Sequence, residues 1–360
     1  MALLSRYVRK NFIKFYFLSV TAFSGTYLLI DFIEKVDNFV DKSASISTLM
    51  LYFMSSLPLI FTRVTPLAIL MAAFMTIGGL SRTGEITAMR AGGLSLIQIA
   101  RPLFTMTIII TVGIVLIQEL VVPINARTMK RIWNIQIQGE TGPQIVRDKI
   151  WYRSDNQMIY IGQAQPGAGL LRDIAIFDLN ERFNIVKRVD APRAEFKDNA
   201  WTFFDTIARH FSPISGEIIE QSSAAKTALS FQKTPENFKH VEAAPGELTF
   251  FELDQEIVRL RTEGYSTVRQ EVDMQTHIAA PFACIVMVLL GIPFALHRGR
   301  SASLASGIVI SILVGVLYFV LNSVSTVFGY SGILPPVIAT WSSNIIFVLI
   351  GTWFILFRTE

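Results

Sequence analysis

Six long runs of apolar residues dominate the pattern of hydrophobic and polar positions along the chain. They cover approximately residues 12–33, 56–80, 101–122, 275–296, 303–325 and 335–357. A helix needs about 20 residues to cross the hydrocarbon of a bilayer, and each run reaches that length. The pattern therefore predicts six transmembrane helices. Basic residues precede the first run as they would in a signal peptide, but the run has the length of a span and no clear cleavage site, so we interpret it as a span.

The segment between the third and fourth runs, residues 123–274, has a different pattern. Short β-branched and aromatic runs alternate with turn residues between about 140 and 245, for example at 149–152, 158–161 and 174–177. Such a series is typical of an antiparallel β domain, and we expect a sandwich or a jelly roll. Thr249 and Glu252 then have the spacing of a capping box, which predicts an amphipathic helix leading into the fourth span.

The third run continues in a helical pattern beyond the length of a span. Residues 101–137 fit one helix of about 55 Å at 1.5 Å per residue, with a kink at Pro123. We expect the outer half of this helix to enter the β domain.

Composition and charge support a membrane location and predict an orientation. Hydrophobic residues make up 51% of the 360 residues and charged residues 17%, which is too apolar for a soluble protein. Arg and Lys concentrate near both termini and in the short segments on the same side of the membrane. The short loops on the opposite side contain only two basic residues, Lys35 and Lys42. The positive-inside rule therefore predicts that both termini and residues 81–95 are cytoplasmic and that 123–274 lies outside.

The sequence predicts no catalytic, metal or cofactor site and no nucleic acid partner. It contains no Gly-x-x-x-x-Gly-Lys-Ser/Thr loop and no nucleophile elbow, its four histidines are scattered, and Cys284 is the only cysteine. An ATP-binding loop of that kind, a cysteine metal cluster and an internal disulfide are therefore not expected. His277 and Asp273 lie one helical turn apart, and we interpret them as a structural pair rather than a catalytic one.

Charged residues at the outer ends of the first three spans are candidates for ligand binding. They comprise Glu119 and five bases: Lys35, Arg63, Arg127, Lys130 and Arg131. Charges inside spans are costly and usually face a cavity or a partner, and clustered bases suit a headgroup that bears phosphates. The alternative is that each of these side chains only anchors a helix at the membrane surface.

The polar segment between the second and third spans reads SRTGEITAMRAGGLS (81–95). Residues 82–91 can form a short helix that ends at Gly92 and Gly93, with Ile86 and Met89 on one apolar face. A helix of this length is unstable alone in water and needs a surface on which to dock. An ordinary loop between two spans is the alternative interpretation.

Four passages of the chain resemble the LptF/LptG permeases of bacterial lipopolysaccharide export. They are 81–95 as quoted, LRTEGYSTVRQEVDMQTHIAAPFACIVMVLLGIPFAL (260–296), VVP (121–123) and GILPPVIATW (332–341). The resemblance extends over nearly the whole chain, and the last passage is more similar to LptG than to LptF. One position departs from the family pattern, because the lysine that some LptG proteins have near the outer end of the first span aligns with Asp31, one turn before Lys35.

The resemblance implies an α-helical membrane protein with six transmembrane helices and an inserted periplasmic all-β, jelly-roll-like domain. The predicted divisions are 1–139 for the first transmembrane half, 140–247 for the β domain, and 248–360 for the amphipathic helix and second half. The implied location is the bacterial inner membrane. The implied partners are a paralogous permease subunit in a heterodimer, a cytoplasmic ATPase dimer that hydrolyses the ATP, periplasmic bridge proteins, and lipopolysaccharide.

The function implied by the resemblance is that of a non-catalytic permease subunit that extracts lipopolysaccharide from the inner membrane. The short helix at about 82–92 then couples to the ATPase through Arg82, Glu85, Ile86, Met89 and Arg90. In this hypothesis Ile86 and Met89 enter a groove of the ATPase, and Glu85 pairs with one of its bases. The lipid-binding residues are Lys35, Arg63, Arg127, Lys130 and Arg131.

Two other functions are open from the sequence. A subunit could transmit force from the ATPase to a periplasmic partner without passing lipid. A membrane-bound enzyme with its site in the β domain is the second alternative, which the missing catalytic constellation disfavours.

Overall fold

A computed structural model gives the fold of the chain. The structure describes residues 2–42, 44–137, 147–154, 157–165, 168–180, 184–197, 200–212, 216–228, 246–262, 266–297 and 304–358. Its helices are α1 (Ala2–Asp41), α2 (Ile46–Arg82), α3 (Glu85–Ala91), α4 (Leu96–Leu120), α5 (Val122–Ile132), α6 (Phe250–Thr262), α7 (Val268–His297), α8 (Leu304–Tyr330) and α9 (Pro336–Arg358). Its strands are β1 (Arg147–Ser154), β2 (Gln157–Gln165), β3 (Leu170–Leu179), β4 (Ile185–Lys197), β5 (Ala200–Phe211) and β6 (Ile218–Ala228).

Six helices of the described chain are long and apolar enough to cross a membrane, which confirms the six predicted spans. They are α1, α2, α4, α7, α8 and α9. Helix α1 continues to Asp41, through the charged residues that follow its apolar run. The helix accommodates these charges because Lys35 pairs with Asp31, one turn earlier, at 2.6 Å.

Local sequence signals fix several helix ends. The Ser45 hydroxyl accepts the Thr48 backbone N–H at 3.3 Å at the start of α2, and Ser95 and Gln98 form a reciprocal capping box at the start of α4. Between α2 and α3, Gly84 has a φ of 78°. This left-handed conformation suits glycine, and it turns the chain sharply between the two helices.

Helices α2 and α7 form the centre of the membrane-spanning unit. Most of their span residues are buried, whereas few of the span residues of α1, α4 and α8 are. The two central helices approach closely, because a Cβ on Gly291 would lie 2.7 Å from the Cβ of Ala73. The exposed helices carry large apolar side chains on their outer surfaces, as lipid-facing or partner-facing helices do.

The third span and its extension form α4, α5 and a π-helical turn at Trp133–Ile137. The α-helix is interrupted at Val121, two residues before Pro123. Proline lacks a backbone N–H and its ring crowds the preceding turn, so the interruption falls where the kink was predicted.

The six strands form one antiparallel sheet in the order β1-β2-β3-β4-β5-β6, so each strand pairs with its neighbours in sequence. The register aligns buried apolar residues across strands, as in the row of Leu171, Ala194 and Phe203 and the pair of Ile161 and Ile174. The predicted inserted antiparallel β domain is therefore confirmed. Its described strands follow a meander, because each strand lies beside its neighbours in sequence.

The chain divides into two compact units. One comprises Met1–Lys130, Ala244–Gln255 and Val268–Glu360, and the other comprises Arg131–Ala243 and Glu256–Thr267. The predicted boundary between residues 139 and 140 lies outside the described residues.

The predicted amphipathic helix after the β domain is present as α6. The Thr249 N–H donates to Glu252 Oε2 at 2.9 Å and the Glu252 N–H donates to Thr249 Oγ1 at 3.2 Å, which is the predicted capping box. Leu253 and Ile257 of its apolar stripe are buried.

Candidate functional site

The polar segment between α2 and α4 forms α3 with a tight turn on each side. Glu85 is the first residue of α3, where a negative charge interacts favourably with the helix dipole. Its carboxylate also accepts a hydrogen bond from the Thr83 hydroxyl at 2.8 Å. The helix ends at Gly92, and Gly93 follows with a left-handed φ of 86°.

The apolar face of α3 packs against its own chain. Ile86 is only 5% exposed and belongs to the same buried cluster as Leu80 and Ile99, and Met89 is half-buried against that cluster. In this structure Ile86 is therefore covered by side chains of its own chain. The contact of Ile86 and Met89 with a groove of the ATPase stays a prediction. The exposed residues from 82 to 91 are Arg82, Thr83, Thr87, Ala88, Arg90 and Ala91.

Two of the candidate lipid-binding bases lie between α1 and α2. Lys35 Nζ is 2.6 Å from Asp31 Oδ1 and 5.3 Å from the centroid of the Tyr52 ring. Arg63 is exposed, and its Nη1 donates to the Tyr27 hydroxyl at 3.2 Å. Tyr27, Asp31 and Lys35 follow one another at intervals of four residues, so the face of α1 toward α2 is polar at this level.

Two further bases, on α5, are bound by carboxylates of the same chain. Arg127 Nη2 is 2.7 Å from both carboxylate oxygens of Glu252, and Lys130 Nζ is 2.6 Å from Glu247 Oε2. The hydrogen bond from the Thr249 backbone N–H, supported by Arg127, lowers the pKa of Glu252 below its usual range. The last base, Arg131, is exposed and begins the second unit.

The two glutamates belong to a segment, residues 246–252, that we name the strap. It runs against the α4–α5 junction, and Gly246 has a left-handed φ of 82°. A Cβ on this residue would lie 3.2 Å from Val122 Cγ1, so only glycine fits without a shift of its neighbours.

Glu119 holds the strap at Phe250. Its carboxylate accepts the Phe250 backbone N–H, with 3.0 Å to Oε2 and 3.3 Å to Oε1, at the first residue of α6. Its Oε1 is also 3.0 Å from His277 Nδ1 of α7. His277 thus contacts Glu119 rather than Asp273, which instead accepts the Tyr330 hydroxyl at 2.5 Å. Glu119 therefore links the third span, the start of α6 and the fourth span.

Sequence reasoning identified the bases but missed most of their acidic partners. Lys130 and Glu247 are 117 residues apart in sequence, and Glu119 and His277 are 158 apart, so no local pattern relates them. The capping-box spacing was the one signal that placed Glu252 at a helix start. Among the described residues, no group of three or more His, Cys, Asp or Glu side chains is arranged to hold a metal ion.

Comparison with known proteins gives consistent relatives over the whole chain. The family model described as "Lipopolysaccharide export system permease LptF/LptG" matches residues 6–357. The permease protein LptG of Haemophilus influenzae is 23% identical over 358 residues, which cover 97% of each chain. LptG of Escherichia coli K12 is 21% identical over 359 residues, with 98% of each chain covered.

Proposed function

Because the chain belongs to the LptF/LptG family of lipopolysaccharide export permeases, we propose that it is a transmembrane subunit of an ATP-driven exporter. This multi-pass inner membrane protein extracts lipopolysaccharide from the membrane and passes it to a periplasmic bridge. ATP is hydrolysed by a cytoplasmic ATPase dimer, and a paralogous permease completes the heterodimer. These partners are inferred from the family.

Arg63 is the observation that carries the lipid part of the proposal. It is an exposed guanidinium within α2, where no other charged residue occurs before Arg82, and its described hydrogen-bond partner is the neutral Tyr27 hydroxyl. A charge at such a place is costly unless it faces a cavity or an opposite charge. The phosphates of a lipopolysaccharide headgroup would supply that charge, and guanidinium binds phosphate through paired hydrogen bonds.

The lipid path is tested by charge reversal at Arg63 and Lys130. Each variant, Arg63→Asp or Lys130→Asp, is purified with its partners, and lipid is crosslinked from a photoreactive residue one turn away. A charge-assisted contact is worth about 1.5–3 kcal/mol, so at least tenfold less crosslinked lipid is expected with assembly unchanged. Unchanged crosslinking in both variants would show that these bases only anchor their helices at the membrane surface.

The orientation proposed for the chain places α3 in the cytoplasm and the β sheet in the periplasm. It is supported by the concentration of Arg and Lys beside the termini and α3. The described sheet has two unpaired edges, β1 and β6. Either edge can add a strand from a neighbouring domain by main-chain hydrogen bonds, which would continue the path for lipid.

For coupling to the ATPase, we assign contact to α3 and the end of α2. Exposed Arg82 and Arg90 and half-buried Glu85 provide charges there, whereas Ile86 holds α3 to the two spans that must move. Glu85→Lys is expected to weaken ATPase binding or its coupling at least tenfold, and a base-to-acid change on the ATPase should restore part of it. Thr87→Ala, on the exposed side without a charge change, is the matched control. Full assembly, hydrolysis and export by Glu85→Lys would exclude this role.

One observation favours a second function, force transmission without lipid passage. Arg127 and Lys130 are paired with carboxylates of their own chain, as bases that only fix a helix would be. Mass spectrometry of the complex purified in mild detergent separates the two functions. Lipopolysaccharide that is lost on Arg63→Asp supports transport, and its absence from the native complex supports force transmission.

A further inference from the structure

The bases on α5 that the proposed lipid path requires are already occupied. Lys130 and Glu247 form a mostly buried pair, with side chains 21% and 16% exposed, and Arg127 and Glu252 form a more exposed pair at 47% and 41%. Arg127 and Lys130 lie three residues apart on one face of α5, so both acids of the strap approach the same face. The strap thus lies along a basic surface that a phosphorylated headgroup would also recognise.

The strap is held at points that do not depend on these ion pairs. Gly246, the first residue of the strap, packs against Val122, and the Phe250 N–H donates to Glu119 further along the strap. Glu247 lies between these two points and Glu252 lies two residues after the second, so both acids can change partners while the strap keeps its attachment. Glu252 also keeps a partner when Arg127 leaves, because the Thr249 N–H donates to its carboxylate at 2.9 Å.

Carboxylate and phosphate are both oxyanions, and they compete for the same guanidinium and ammonium donors. We propose that the strap is an internal competitor for the lipid site, in which Glu247 and Glu252 hold Lys130 and Arg127 until a headgroup phosphate displaces them. The inference rests on the proposed function. Both pairs keep some access to solvent, so exchanging them costs less than breaking a fully buried ion pair. A phosphate also carries more negative charge than one carboxylate.

Competition of this kind lowers the apparent affinity for lipid by the fraction of time that the bases are open. A strap closed for about nine-tenths of the time lowers it about tenfold. Removing the carboxylate charge should therefore increase lipid occupancy, whereas a purely structural pair would lower stability and leave occupancy unchanged.

The test uses the full chain with its partners in nanodiscs that contain lipopolysaccharide, with a photoreactive residue at Met129. Glu247→Gln keeps the shape of the side chain and removes its charge. The matched control is Glu256→Gln, which breaks the 2.5 Å pair with Arg259 on α6 without touching the bases of α5. We expect Glu247→Gln to increase crosslinked lipid about three- to tenfold without ATP, equivalent to about 0.7–1.4 kcal/mol. Glu256→Gln should stay within a factor of about 1.5 of the native protein.

A second variant and a modified lipid test which anion competes for the bases. Glu252→Gln, which retains the helix cap, should give a smaller increase because its pair is more exposed. Lipopolysaccharide treated with phosphatase should abolish the difference between Glu247→Gln and the native protein, and a persisting difference would overturn phosphate as the competing anion. Equal crosslinking in the native protein and Glu247→Gln overturns the strap inference alone. A complete absence of lipid crosslinks in every variant overturns the proposed function together with it.

Discussion

Replacing Glu119 by alanine removes one carboxylate that serves three elements. The Phe250 N–H and the His277 ring nitrogen both lose their partner, at 3.0 Å each. A buried polar group left without a partner costs about 1–3 kcal/mol. His277 is 8% exposed but Glu119 is 25% exposed, so water compensates part of the loss and we expect about 1–2 kcal/mol in total.

The assay for this prediction is thermal unfolding of the full chain in nanodiscs, followed by intrinsic fluorescence. One kcal/mol shifts Tm by about 2–4 °C for a unit of 150–250 residues, so Glu119→Ala should lower Tm by about 2–8 °C. Glu119→Gln retains an acceptor for the Phe250 N–H and should lower Tm by about half as much as Glu119→Ala. The matched control is Gln118→Ala at the preceding residue, with an expected change below about 0.5 kcal/mol.

A double-mutant cycle sharpens the test of the Glu119 contact. If the carboxylate and the ring act as one contact, Glu119→Ala and His277→Ala should be less than additive. Identical Tm values for Glu119→Ala and Gln118→Ala, or full additivity with His277→Ala, would refute the reasoning that Glu119 links these elements.

Three further predictions concern pH, packing and topology. The pKa of Glu252 is lower in the folded state than in the unfolded state. The stability that Glu252 contributes is therefore present above the unfolded-state pKa and is lost as the pH falls through the folded-state pKa. Below about pH 4.5 the Tm of the native protein should fall more steeply than the Tm of Glu252→Gln. Gly291→Ala should lower the free energy of unfolding by about 1–3 kcal/mol through overpacking against α2. Gly113→Ala, which has open space around its Cβ position, should leave this free energy unchanged or raise it. Chemical or thermal denaturation measures both variants. Lys197→Cys should react with an impermeant maleimide added to the periplasm and Thr87→Cys should not, and the reverse pattern would exclude the proposed orientation.

The sequence by itself determined the elements that depend on local chemistry. Apolar runs of span length predicted six membrane helices, because a spanning backbone must satisfy its hydrogen bonds within the helix. Pro123 predicted the kink, and the spacing of Thr249 and Glu252 predicted the start of α6. Alternating β-branched and aromatic residues predicted an antiparallel sheet, although the order of its strands did not follow from periodicity.

Only the tertiary structure decided which side chains meet. Lys130 and Arg127 are bases near the end of a span in the sequence, and folding brings to them two glutamates from beyond the β domain. Ile86 shows the same limit, because periodicity gives its apolar face but not the surface that this face covers. Charged and apolar side chains contact groups that are near in space, and a contact between residues more than 100 positions apart has no local sequence pattern that predicts it. The lengths and ends of the helices can therefore be predicted from the sequence. The pairing of Arg127 and Lys130 with two glutamates is decided only by the tertiary structure.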